Sequence, residues 1–128
     1  MKPFILVVDD DPNVGPLLTD SLESQGYRVT YCSDAAQALI QLENLRVGLL
    51  ISDIMMPGFG TGVDAYRKIR ANPDRKEILP AIFLTGLTPD EADKHVPKGD
   101  PHIRLLHKPT SLKNLMNAIK ELTGEKLK

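Results

Sequence analysis

Five side chains stand where an apolar run stops. Asp9 and Asp10 follow "FILVV", Asp53 follows "VGLLIS", Thr85 follows "AIFL", and Lys108 comes one residue after "IRLL", behind His107. A carboxylate at the rim of a buried segment is costly unless something pairs with it. Three carboxylates brought within ~4 Å repel by about 4 kcal/mol per pair at an effective dielectric of 20. A divalent cation relieves that repulsion. Neither Cys nor His lies beside the first or third run's end, so an all-oxygen set suits a hard cation such as Mg²⁺. Mg²⁺ typically takes one or two carboxylates and completes its shell with water and phosphate oxygens, which leaves one acid free. Thr85 can donate a hydrogen bond to a phosphoryl oxygen and Lys108 can neutralise another. This set fits phosphoryl transfer, with the acid as nucleophile. Asp53, alone at the end of its run, is the acid aimed to attack phosphorus.

Such a site requires the runs to be neighbouring strands. Phe4 to Val8 reads as a short buried strand, followed by a helix with Pro12 in its first turn. Val14, Leu17, Leu18 and Leu22 fall at helical spacing, and Gly26 closes the segment. Arg28 to Tyr31 is a thin second strand. Asp34 to Arg46 forms a helix with Ala35, Leu39, Leu42 and Leu45 on one face. Val47 to Ser52 is a third strand, and a third helix spans Val63 to Ala71. Ala81 to Leu84 is a fourth strand. "TPDE" is a capping box, Thr88 at the N-cap and Glu91 at N3, opening a short helix that Pro97 ends. Ile103 to Leu106 is a fifth strand. The last helix carries Leu112, Leu115, Met116, Ile119 and Leu122 as one stripe.

Strands alternating with helices imply right-handed crossovers and a parallel sheet covered on both faces, an α/β flavodoxin-like, doubly wound architecture. The first and third strands are the most apolar and belong at the centre; the second, poor in hydrophobes, and the fifth, with Arg104, suit the edges. The expected order is 2-1-3-4-5, whose switch point lies between strands 1 and 3, where ligands bind in open sheets. The acidic pair and Asp53 then share a pocket.

The 128 residues suffice for one domain and not two, so residues 1–128 are expected to form a single unit. A net charge of −1 gives no bulk attraction to nucleic acid or anionic membrane, and the apolar start is too short for a signal core or a membrane span. Cys32 is the only cysteine, which excludes an internal disulfide and fits a reducing, cytoplasmic setting. It reads as a small buried hydrophobe, and Met55 and Met56 as packing and rim residues. His95, His102 and His107 have no metal-ligand spacing, and "GFGTG" lacks the lysine and spacing of a phosphate loop. Asp11, before Pro12, reads as a helix cap.

"ILVVDDDP", "LLISDIMMPG", "AIFLTG" and "HKP", in that order, make the chain resemble the response-regulator receiver domain of two-component signalling over essentially its whole length. The resemblance implies that Asp53 is the phosphoacceptor and that Asp9 and Asp10 form the Mg²⁺-binding acidic pair, Asp10 the more direct ligand. Met55 would add its backbone carbonyl to the metal, and Thr85 and Lys108 would contact the phosphoryl group. It implies a histidine kinase or a histidine phosphotransfer protein as donor, an output domain or downstream protein as target, and no turnover enzyme. Gly86, Leu105 and Pro109 fall in the implied switch region, and the Lys108–Pro109 bond is a candidate for cis.

The chain departs from the family pattern at Leu105, where an aromatic is common, and at Thr110, where Phe is common. "PGFGTGVD" is one residue longer than usual, and "VPKGDPHI" is rich in Pro and Gly. A leucine at 105 has no ring to swing. The response is therefore expected in the loop "TGLTPDE" and its helix, with Gly86 giving backbone freedom and residues 97–101 anchoring the helix weakly. Two other readings compete. A haloacid-dehalogenase-type phosphohydrolase would use Asp9-x-Asp11 but needs a further acidic pair after the lysine and leaves Asp53 without a role. A receiver-like module acting by contacts alone would lack part of the acid–Thr–Lys set, which is complete here.

Overall fold

The computed structural model describes residues 2–54, 62–73, 77–96 and 99–128. Among these residues five strands and five helices alternate: β1 (Phe4–Val8), α1 (Gly15–Ser24), β2 (Val29–Cys32), α2 (Ala35–Asn44), β3 (Val47–Asp53), α3 (Gly62–Arg70), β4 (Ala81–Thr85), α4 (Pro89–Asp93), β5 (Ile103–His107) and α5 (Leu112–Thr123). All pairings are parallel and the order is β2-β1-β3-β4-β5. The expected architecture and order are thus observed.

Successive strand residues feed opposite faces of the sheet, as a two-residue period demands. Leu6, Val8, Leu50, Ala81 and Phe83 join Ala35, Ala38, Val63, Tyr66, Ile69 and Ala92 in one core, beneath α2, α3 and α4. Ile5, Val7, Leu49, Ile51, Ile82 and Leu84 join Leu22, Leu115, Ala118 and Ile119 in the other, beneath α1 and α5. Each fully buried Ile, Leu or Phe stabilises the fold by roughly 1.5–3 kcal/mol relative to exposure. Two covered faces make the central strands rigid, so their carboxyl ends are fixed supports.

Several local expectations need correction. Pro12 precedes α1 rather than opening it, and Pro16 occupies the first turn. Asp11 accepts the Asn13 amide at 2.8 Å in a turn before the helix, while Val14 stands at the N-cap without a side-chain bond. Leu17 is 65% exposed because it lies about 140° round the helix from buried Leu22. Thr88 caps α4 by accepting the Glu91 amide, but Glu91 returns its carboxylate to the Thr88 hydroxyl at 3.1 Å, not to the backbone.

Gly86 has no positive φ, and a Cβ there would meet nothing, so this backbone does not require glycine. On either side of residues 97 and 98, Val96 is buried, and Asp100 pairs with Arg70 and accepts the His102 amide at 2.8 Å. These contacts, led by the backbone amide of His102, hold the Asp100 carboxyl below its ordinary range although burial opposes them. Met55, Pro97 and the loop "PGFGTGVD" as far as Thr61 lie outside the described residues.

Candidate functional site

The register carries the site residues to one edge. Val8 pairs with Ser52, so Asp9 and Asp53 follow side by side. Asp53 pairs with Leu84, and Thr85 with His107. The Lys108 amide extends that ladder by one bond, 2.7 Å to the Thr85 carbonyl. Carboxylate oxygens of Asp9, Asp10 and Asp53 all lie within 4.8 Å of one another. The switch-point pocket expected between β1 and β3 therefore forms.

The three acids differ in surroundings. Asp9 is buried, and both its oxygens are engaged: Oδ1 accepts the Asp11 amide at 2.9 Å and Oδ2 accepts from Lys108 Nζ at 3.0 Å. Asp53 is half-buried and accepts from the same ammonium at 3.0 Å. Asp10 is exposed. Burial works against the charged form of Lys108, but its bonds to Asp53 and Asp9 outweigh that and raise its affinity for the proton above the ordinary lysine value. The peptide bond between Lys108 and Pro109 is cis.

Thr85 is fully buried and its hydroxyl accepts the Leu87 amide at 3.0 Å, keeping a proton to donate. His107 places Nδ1 3.3 Å from the Leu87 carbonyl. Leu105 and Leu87 pack on the core that contains Phe83. Cys32 is buried and pushed up to about 11 by burial first and by the charge of Asp34 second.

Two features escaped the sequence reading. Lys108, expected to meet an incoming phosphoryl group, already bridges Asp9 and Asp53. Tyr31, on the thin edge strand β2, donates its hydroxyl to the Asp9 carbonyl at 2.8 Å. Burial, then the negative charge of Asp9, raises the Tyr31 phenol above its ordinary range, so it remains a donor. No sequence signal marked Tyr31; only the β1–β2 register aims it at Asp9.

Among the described residues the cluster consists of carboxylate oxygens, with Asp10 exposed, and such hard donors fit Mg²⁺ chemistry. Comparison with known proteins gives the same reading. The family model for the response regulator receiver domain matches residues 5–120. The DNA-binding response regulator MtrA of Mycolicibacterium smegmatis is 38% identical over 88 residues, 69% of this chain and 36% of that protein, so the match spans about a third of its length. A response regulator receiver protein from Pseudomonas putida superposes with a TM-score of 0.80 at 29% identity, covering 94% of this chain and 98% of the other. The response regulator TrrA of Thermotoga maritima, solved in complex with Mg²⁺-BeF, gives a TM-score of 0.77 at 30% identity, covering 95% and 99%. With its strand order, its acidic pocket and its match over residues 5–120, the chain belongs to the response regulator receiver domain family.

Proposed function

We propose that Asp53 receives a phosphoryl group from a phosphohistidine of a histidine kinase or phosphotransfer protein, and that the resulting charge switches the domain for an output domain or separate partner. The observation that carries this reading is the Lys108 ammonium bridging Asp9 and Asp53 beside Asp10. A carboxylate oxygen of Asp53 forms a new P–O bond as the P–N bond to the donor imidazole breaks, and the imidazole departs with that electron pair. The product is an acyl phosphate. Lys108 stands ready to follow the new charge, since its Asp53 contact is an ion pair that a phosphoryl oxygen can replace. The Thr85 hydroxyl supplies a further donor.

Asp10, with Asp53 and Asp9, is the set that would hold Mg²⁺, and the Met55 carbonyl is proposed as a further ligand. Bound there, the ion supplies a positive charge against which the transferred phosphoryl oxygens are stabilised. The domain assists its own phosphorylation and is no turnover enzyme.

Intact mass after exposure to acetyl phosphate and Mg²⁺ tests the assignment. One added phosphoryl group is expected on the wild type and none on Asp53→Asn. Equal labelling of both proteins removes Asp53 from the role, and continuous release of phosphate from a phosphomonoester would favour a phosphohydrolase instead.

A further inference from the structure

The main chain of Asp9 is gripped on both sides by β2. Its amide donates to the Cys32 carbonyl at 3.2 Å, and its carbonyl accepts the Tyr31 hydroxyl at 2.8 Å. The Tyr31 ring is seated in turn. A Cβ placed on Gly15, at the start of α1, would come within 2.1 Å of the ring, and Gly15 is itself buried. The ring therefore fills the space over Gly15 and reaches the turn from Asp9 to Gly15. That turn carries Asp10, whose carboxylate is exposed and, of the three acids, the one with most freedom to meet a metal. The Asp9 side chain is already fixed by Lys108 and the Asp11 amide. The backbone on either side of Asp10 is held too: the Asp11 amide is bonded to Asp9 Oδ1, and the Tyr31 hydroxyl is bonded to the Asp9 carbonyl, where the path into Asp10 begins.

We propose that Tyr31, seated on Gly15, is a positioning residue for the divalent-cation site: its hydroxyl holds the Asp9 carbonyl so that the Asp10 carboxylate is presented beside those of Asp9 and Asp53. The inference rests on the reading of the acidic pocket as an Mg²⁺ site. Outer partners of metal ligands act by this kind of orientation, and removing one weakens metal affinity by roughly 10–100-fold. The Tyr31 hydroxyl is bonded to the Asp9 main-chain carbonyl rather than to a carboxylate of the site, so its effect belongs to metal affinity and not to the transfer step.

Tyr31→Phe keeps the ring over Gly15 and deletes only the hydroxyl. Titration calorimetry with MgCl₂ should give a dissociation constant about tenfold weaker than wild type. Acetyl phosphate labelling should slow at sub-saturating Mg²⁺ and recover to the wild-type rate at saturation. Thr123→Val serves as the control, because it also removes one hydroxyl-to-carbonyl bond, to Ile119, in α5; it should lower stability without changing Mg²⁺ affinity. Gly15→Ala, which must displace the ring, should weaken Mg²⁺ in the same direction as Tyr31→Phe. Wild-type binding with an unchanged constant in Tyr31→Phe overturns the inference alone, as does an equal loss in Thr123→Val. Absence of Mg²⁺ binding in the wild type overturns the underlying site reading and the inference with it.

Discussion

The Lys108 ammonium lies 3.0 Å from a carboxylate oxygen of Asp53 and 3.0 Å from one of Asp9, so a residue just beyond the edge strand β5 ties together the ends of two central strands. One positive charge thus answers part of the repulsion among three acids before any cation arrives. Lys108→Ala leaves Asp9 buried without its ion partner, which is expected to cost on the order of 1–3 kcal/mol in metal-free protein. Mg²⁺ should restore more stability to the variant than it adds to wild type, because it then meets a more negative pocket. Thermal unfolding with and without MgCl₂ measures both increments; equal increments would show that the lysine is not felt at the metal position. Phosphorylation should still occur in Lys108→Ala, but without the wild-type spectral change.

The same contacts define a pH window. Lys108 binds its proton more tightly folded than unfolded, its bonds to Asp53 and Asp9 outweighing burial. A raised folded value means that this stability is fully present below the unfolded lysine pKa, 10.5, and is lost as pH rises through the folded value. The stability gap between wild type and Lys108→Ala, from urea unfolding, should be flat through neutral pH and close only above pH 10.5. A gap that closed between pH 6 and 8 would contradict this origin.

Asp9 and Asp10 are neighbours with different duties. Asp9 is buried with both oxygens bonded, whereas Asp10 is exposed. Asp10→Asn should therefore weaken Mg²⁺ binding by about tenfold or more while leaving metal-free stability unchanged or slightly raised, since it removes one of three repelling charges. Asp9→Asn should destabilise the metal-free fold by on the order of 2 kcal/mol, because Lys108 then loses one of its two charged acceptors. Calorimetric titration and thermal unfolding of the two variants separate these effects. An Asp10→Asn protein with wild-type Mg²⁺ affinity would place the metal elsewhere.

Most of this site is legible in the sequence, because its logic is that of strand ends. Alternation of apolar runs with helical stripes fixes a parallel sheet, the weak hydrophobicity of β2 and Arg104 in β5 put those strands at the edges, and the order follows. Asp9, Asp53, Thr85 and Lys108 are then brought to one rim by register alone. Side-chain partnerships were less readable. Tyr31 looks like any edge-strand aromatic, and nothing in its neighbours in sequence shows that its hydroxyl meets the Asp9 carbonyl. Leu17 falls at helical spacing with Leu18 and Leu22 yet is exposed, because apolar periodicity cannot separate the centre of a stripe from its flank on a short helix. The Pro- and Gly-rich composition around residue 100 gives no hint that Asp100 pairs with Arg70 and accepts the His102 amide.

Cys32 should be inert. It is buried, and burial with the nearby Asp34 charge raises its pKa to about 11, so little thiolate exists at pH 8. Native protein should react with iodoacetamide far more slowly than the same chain in urea, by about 100-fold or more, followed by intact mass. Because the folded value is raised, this thiol also favours the fold fully below pH 9 and loses that contribution as pH rises through about 11. Fast native alkylation at pH 8 would show that the β2 end opens readily.

Leu105 packs on the same core as Leu87 and has no ring to reorient, so little free energy can flow through a change of its rotamer. Leu87 is held differently: Thr85 accepts its amide at 3.0 Å, and His107 sits 3.3 Å from its carbonyl. A Thr85 hydroxyl that swings toward a phosphoryl group on Asp53 gives up the Leu87 amide, and the connection between β4 and α4 is loosened at its root. Helix α4 has only five residues, so its stability depends on that connection and on buried Ala92 and Val96. Amide hydrogen exchange with beryllofluoride and Mg²⁺ should show faster exchange across residues 86–96, with β5 at Ile103 to Leu106 little changed. Thr85→Ala, which lacks the hydroxyl in both states, should show exchange across 86–96 that is already fast and no longer responds. His107→Ala should raise the unphosphorylated exchange rate of Leu87 without abolishing the response. Changes confined to Ile103 to Leu106, with residues 86–96 unaffected, would place the switch in β5 and refute the Leu87 route.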